Sequence, residues 1–185
     1  MALHLLTGPA GEPVSLAEAR AYLRLDNETE DMLLGVLITS ARMVLEADTR
    51  RAFMTQSWKL ILDSWPVTKV ALPLAPASAV TEITLDDDAV TGAPATYDVA
   101  LAGDAPCVMP RTTWPQPVNR VGGIAISFTA GYGGAGDVPA PLKQAILLLV
   151  AHWFDNRAPV ALGESVHELP ISVAALVAPY RRVRL

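Results

Sequence analysis

Cysteine is nearly absent. Cys107 is the only one in 185 residues, so no internal disulfide framework holds the chain together. A lone thiol suits a reducing compartment. An excess of positive charge is missing too: 14 Lys and Arg stand against 19 Asp and Glu, a formal net charge of -5. That balance argues against tight, sequence-independent nucleic-acid binding, which needs Lys and Arg to neutralise phosphates. Long apolar runs are lacking as well. The longest, Ala145-Ile146-Leu147-Leu148-Leu149-Val150-Ala151, is far too short to cross a bilayer. The opening Met1-Ala2-Leu3-His4-Leu5-Leu6 has no basic flank, and Pro9 and Gly11 follow, so no signal peptide is expected. No internal repeat or low-complexity segment occurs. What is present is a globular composition, 51% hydrophobic and 18% charged. A chain of this length buries roughly 70% of its unfolded surface and builds a core unaided.

Residues 1–14 read as an irregular arm, broken by Gly8, Pro9, Gly11 and Pro13. Ser15 and Glu18 form a capping box for a helix over about 16–24. Asp26 or Thr29 caps a second helix reaching about Arg51. Glu30 and Asp31 stand in its first turn and Arg50 and Arg51 in its last, complementing its dipole. Leu33, Leu37, Ser40 and Val44 make one row; Leu34, Ile38, Ala41 and Leu45 make the next. A face this wide asks for cover from the chain's own fold and from a neighbouring subunit. The period then drops to two: Trp58, Leu60, Leu62; Thr81, Ile83, Leu85; Tyr97, Val99, Leu101; and Ile124, Ile126, Phe128. Turn residues separate these sets, which predicts an antiparallel sheet, sandwich or small barrel over about 55–132. Pro139 and Pro141 open a third helix running to about Asn156, with Leu142, Ile146, Leu149, Val150 and Trp153 on one face. Leu147, Leu148 and Phe154 widen that face almost to the full circumference. Residues 157–170 read as a linker, after which Ser172 caps a short helix that Pro179 stops.

The class is therefore α+β: a helical body of two N-terminal helices plus a C-terminal helix, with an antiparallel β insertion and an extended C-terminal tail. The segments are an N-terminal helical part (1–54), a β-rich insertion (55–132), a helix completing the body (133–156), and a linker, short helix and docking tail (157–185).

Four features invite chemistry. Gly131-Tyr132-Gly133-Gly134-Ala135-Gly136 has the G-x-G-x-x-G spacing of a dinucleotide site. The third glycine should sit inside the helix, and here Asp137-Val138-Pro139-Ala140-Pro141 intervenes, so a strand-to-helix turn is the better reading. Asp86-Asp87-Asp88 lacks the glycine and terminal Glu of a calcium loop and reads as a hairpin turn. His4, His152 and His167 have no metal-ligand spacing. A Cys107/His152 nucleophile pair has no supporting residue nearby, and His152 beside Trp153 reads as a core or interface residue. Trp58, Trp65, Trp114 and Trp153 read as core anchors, although aromatics also suit interfaces. No catalytic, cofactor or metal residue is expected. The last feature is the end of the chain, where Arg181, Arg182 and Arg184 alternate with Val183 and Leu185. It reads equally as a docking peptide or as a frayed terminus.

The order of segments resembles a known family. Pro13-Val14-Ser15-Leu16-Ala17-Glu18-Ala19, then Tyr22-Leu23-Arg24-Leu25-Asp26, is similar to the opening of phage head–tail connector proteins. So are Leu45-Glu46, Thr49-Arg50-Arg51-Ala52 and Thr55-Gln56-Ser57-Trp58. Phe128-Thr129-Ala130-Gly131-Tyr132-Gly133 continues the likeness, followed by 138–146, His152-Trp153-Phe154, Glu168-Leu169-Pro170 and Ala178-Pro179-Tyr180-Arg181. The nearest likeness is to connectors of prophages and gene transfer agents. The resemblance implies a non-enzymatic adaptor that self-assembles into a ring, commonly a dodecamer, between the portal and a tail-side neck or stopper protein. DNA would pass through the channel without specific binding, and the acidic balance suits a wall that repels phosphate. The place would be the neck of a virion assembled in the bacterial cytoplasm, with no membrane contact. Tyr180, Arg181, Arg182, Val183, Arg184 and Leu185 would bind the portal. Leu34, Ile38, Leu45, Leu147 and Phe154 would form the subunit interface. Other readings are an assembly chaperone or binding module of the same particle, and a small nucleotide-binding enzyme.

Overall fold

Period-two alternation becomes two antiparallel sheets. The computed structural model describes residues 1–89, 97–119, 121–156 and 169–182. They fall into two compact units, one of Met1–Ala10 with Met54–Tyr132, the other of Gly11–Phe53 with Gly133–Leu185. The first unit carries strands β1 (Ala2–Thr7), β2 (Gln56–Leu62), β3 (Val70–Ala71), β4 (Ala77–Leu85), β5 (Asp88–Ala89), β6 (Tyr97–Ala100), β7 (Cys107–Pro110) and β8 (Ile124–Ala130). A five-stranded sheet runs β1-β2-β8-β4-β5 and a three-stranded sheet runs β3-β7-β6.

The register explains why β8 is central. Leu60 and Ile83 both lie opposite Ile126, and Leu62 and Leu85 both lie opposite Ile124. Branched and leucine side chains thus stack across three strands on one face, each cross-strand pair contributing about 0.2–1 kcal/mol. Leu60, Ile124, Ile126 and Phe128 are fully buried. The first strand corrects the expectation of an irregular arm. Leu3 and His4 pair antiparallel with Leu60 and Lys59, so 2–7 is an edge strand whose mostly exposed side chains give little periodicity.

The second unit holds α1 (Leu16–Leu23), α2 (Asp31–Thr49), α3 (Ala140–Asp155) and α4 (Ile171–Val177), the last followed by a 3-10 turn at Ala178–Tyr180. The capping box is present: Glu18 N–H donates to Ser15 Oγ at 3.2 Å, and Ser15 N–H donates to the Glu18 carboxylate at 2.7 Å. Lys143 of α3 adds an ion pair to Glu18 at 3.0 Å. Together these hold the Glu18 carboxyl down at about 2, the backbone N–H of Ser15 contributing most. α2 packs on α3, and α3 on α4. Leu34, Ile38, Ala41 and Leu45 meet a core completed by Leu142, Ala145, Ile146, Leu149, Val150, Val173 and Val177, all buried.

Several helix-end expectations are corrected. α2 begins at Asp31 behind Glu30, which makes no side-chain cap, so neither Asp26 nor Thr29 caps it. It ends at Thr49, with Arg50 in the left-handed conformation as C-cap. Arg50 and Arg51 therefore lie beyond its last turn. α4 starts behind Pro170, so Ser172 is inside the helix rather than its cap.

A buried ion network fastens the chain ahead of α1 to α2. Arg42 is only 6% exposed. Its Nε donates to Glu12 at 2.7 Å and its Nη1 to Glu46 at 2.7 Å. Thr39 Oγ1 donates to Glu12 at 3.0 Å, and Phe53 N–H donates to Glu46 at 2.7 Å. Every carboxylate oxygen of the pair has a donor, the condition under which buried charges are tolerated.

Candidate assembly surfaces

The root of the C-terminal tail is engaged within the chain. Arg51 is buried and its Nε donates to the Tyr180 carbonyl at 2.7 Å. Its guanidinium also lies over the Tyr180 ring, 5.8 Å from the centroid, within cation–π reach. Arg181 Nε donates to Asp48 at 2.8 Å, and Arg182 N–H donates to the Thr49 carbonyl at 3.4 Å. All these partners lie at or just past the C-terminal end of α2, where the helix dipole is negative and cations are favoured. Tyr180 and Arg181 thus serve first as an anchor. Val183, Arg184 and Leu185 lie outside the described residues, as does the linker over 157–168. Nothing in the sequence spacing announces these contacts, which join residues 129 and 133 positions apart.

Three of the residues expected at a subunit interface are placed elsewhere. Leu34, Ile38 and Leu45 are at most 2% exposed; they fill the chain's own core, out of reach of any partner. Leu147 and Phe154 are half-buried. The apolar residues that α2 does offer to solvent are Met32, Val36, Met43 and Val44, 88%, 60%, 59% and 40% exposed.

The enzyme-like features resolve into structure. Gly131 needs to be glycine: its φ is +131°, and a Cβ there would run into the Met54 carbonyl. The N–H of Gly134, the kind of group that would cradle a phosphate, donates instead to the Asp137 carboxylate at 2.8 Å. α3 begins only at Ala140, so its N-terminus stands away from the glycines. Asp86 and Asp87 have φ of 51° and 70° and make the tight turn between β4 and β5. The Asp86 carboxylate accepts from Val118 N–H at 2.6 Å and Asn119 N–H at 2.9 Å. Cys107 is buried. His152 is exposed, which removes the core alternative from its reading as a core or interface residue. Among the described residues no group of three or more His, Cys, Asp or Glu is placed to hold a metal ion.

At one end of the five-stranded sheet a loop is braced from several sides. Trp65 and Trp114 stack with centroids 3.9 Å apart and planes 2° from parallel, and Trp65 Nε1 donates to the Pro115 carbonyl at 2.7 Å. Gly122 N–H donates to Asp63 at 2.9 Å, a bond that lowers the Asp63 carboxyl below its ordinary range, helped by the N-terminal amine. No tryptophan is fully buried; Trp58, Trp65, Trp114 and Trp153 are all half-exposed, so they are not the core anchors expected.

The tail root is latched to α2, and α2 keeps an exposed apolar face besides its buried one. A family model described as head completion protein matches residues 13–183, and the chain belongs to that family. It is a head–tail connector, as the resemblance in the sequence implied, and its class is α+β. Among solved structures it is similar to a chain in the neck of an empty gene-transfer-agent particle computed with C6 symmetry, with TM-score 0.84 and 29% identity, covering 100% of this chain and 97% of that one. A chain of the native gene-transfer-agent virion gives TM-score 0.83 and 27% identity, with the same coverage. A chain in the native neck computed with C12 symmetry gives 0.81 and 26%, again covering 100% and 97%. No curated protein matches.

Proposed function

We propose that this chain is one subunit of a ring in the neck of a gene-transfer-agent-like or tailed-phage particle, joining the head portal to the tail-side neck protein and performing no catalytic step. The observation that carries the reading is the end-to-end likeness to chains of necks computed with C6 and C12 symmetry. A closed ring of identical subunits is a heterologous assembly, in which each copy offers two different faces. A dodecamer fits both symmetries. DNA passes through the ring without being gripped, in keeping with the net charge of -5. The tail beyond Arg182 docks on the portal from a root fixed to α2, and a fixed root lowers the entropy cost of docking.

Light scattering on the purified chain, alone and with the cognate portal protein, tests this. The expected result is a ring, or a stoichiometric complex with the portal that is lost on removing residues 183–185. A chain that stays monomeric and ignores the portal overturns the reading.

A further inference from the structure

α2 is apolar on two opposite faces. At about 100° per residue, Leu34, Ile38, Ala41 and Leu45 fall on one side and are buried. Met32, Val36, Met43 and Ala47 fall within about 60° of one another on the other side, and all four are exposed. Ser40 and Val44 lie beside them on one side and Thr39 on the other, and Gly35 stands at that second edge next to Glu46. Met32, Val36, Ser40, Met43, Val44 and Ala47 therefore make an uncharged stripe over 16 residues, about 22 Å of helix. A surface helix ordinarily places its charged residues opposite its buried face; here they sit at the flanks, Asp31, Arg42 and Glu46 on the Gly35 side and Asp48 on the other. Gly35 adds a second sign. Mid-helix glycine is unfavourable relative to alanine, and a Cβ at this position would meet nothing within 4 Å. The fold of the chain itself gives no reason for glycine here, whereas a neighbour packed closely against the helix does.

We infer that this outer face of α2, centred on Val36 and Met43 with Gly35 as its point of closest approach, is a contact with a second copy of the chain in the assembled ring. The inference rests on the reading of the chain as a neck subunit. The second copy is chosen over other occupants for two reasons. The similar chains come from necks computed with rotational symmetry, so each subunit has a copy beside it. The stripe is also uncharged along its length, suiting a permanent contact with the fully desolvated, charge-depleted centre of a subunit interface. Met32 and Met43 give side chains that adapt to an irregular opposing surface.

The test is made in particles. Benzoylphenylalanine replaces Val36 in a producing strain, particles are purified and irradiated, and the products are identified by mass. Two copies of this chain joined through position 36 are expected. A link to a different protein, or none while the chain is present in the particles, overturns the inference and leaves the neck reading standing. Absence of the unmodified chain from purified particles overturns the neck reading, and this inference with it. Val36→Glu and Met43→Glu provide the second readout. Each should unfold at the temperature of the parent chain yet enter particles at least about tenfold less well, since a charge forced into an apolar contact costs 1.4 kcal/mol or more. Normal incorporation of both variants sinks the assignment.

Discussion

Arg51 reaches across the fold to the carbonyl of Tyr180, 129 residues later, at 2.7 Å. With the Arg181–Asp48 ion pair at 2.8 Å, it ties the root of the tail to the end of α2. The two bonds differ in weight. Arg51 is buried, whereas Arg181 and Asp48 keep 42% and 27% of their side-chain surface exposed. A charge-assisted hydrogen bond from a buried donor contributes about 1.5–3 kcal/mol, and a partly exposed pair about 0–1 kcal/mol. Arg51→Ala is therefore expected to lower the unfolding free energy by about 2 kcal/mol and to expose 178–182 to protease. Asp48→Ala is expected to change stability little. Urea unfolding and limited proteolysis of both variants check this; equal effects would mean that the hydrogen bond does not dominate the latch.

The Glu12–Arg42–Glu46 network gives a larger effect. Removing the cation leaves two carboxylates facing each other with little solvent, so Arg42→Ala should cost about 3–5 kcal/mol. Neutralising the partners relieves most of the penalty: the triple variant Glu12→Gln, Arg42→Met, Glu46→Gln should recover a large part of the loss. Denaturant midpoints of the two variants decide. A triple variant no better than Arg42→Ala would show that lost packing, not uncompensated charge, is the cause.

Glu18 sets a pH dependence. Its folded value of about 2 lies below the ordinary 4.5. A depressed carboxyl stabilises the fold above its unfolded value, and that contribution is lost as pH falls from about 4.5 through about 2. Glu18→Gln should flatten the decline of melting temperature in this window. It should also lower stability at neutral pH by about 1 kcal/mol, the usual weight of a helix cap; the 47% exposure of the side chain argues against more. Melting curves from pH 2 to 7 on both proteins provide the comparison, and parallel declines would contradict the assignment.

The braced loop at the sheet end has an optical reporter. A Cβ on Gly123 would stand 2.6 Å from the Asn119 carbonyl and 2.9 Å from Asp86 Oδ1, closer than side-chain carbons pack. Gly123→Ala should push 117–119 off Asp86, loosen the Trp65–Trp114 stack, and shift tryptophan emission to the red. An unchanged spectrum would show that the loop absorbs the methyl without moving.

The elements most legible in the sequence were those with strong local signals. Ser15 and Glu18 fixed the start of α1, the proline pair fixed α3, and alternation located β2, β4, β6 and β8. β1 escaped because an exposed edge strand has no buried face to write a period of two. The outer face of α2 escaped for another reason. The adjacent rows of Leu33 and Leu34 already make one wide apolar face, and Met32, Val36, Met43 and Ala47 beyond it, all exposed, were not read as a second. The latch between Arg51 and Tyr180 joins residues far apart in the sequence, and only the fold brings them together.

Gly35 separates what the isolated chain needs from what its assembly needs. With φ ordinary and nothing within 4 Å of an added Cβ, Gly35→Ala should raise the stability of the isolated chain by up to about 1 kcal/mol through better helix propensity. If a neighbouring subunit packs against that turn, the same methyl holds the two backbones apart and weakens the contact. The expected pattern is a higher melting temperature together with poorer incorporation into particles, measured by the ratio of this chain to the major head protein. A variant both more stable and fully incorporated would mean that Gly35 is not the point of closest approach. A variant less stable as an isolated chain would mean that the glycine serves the helix itself.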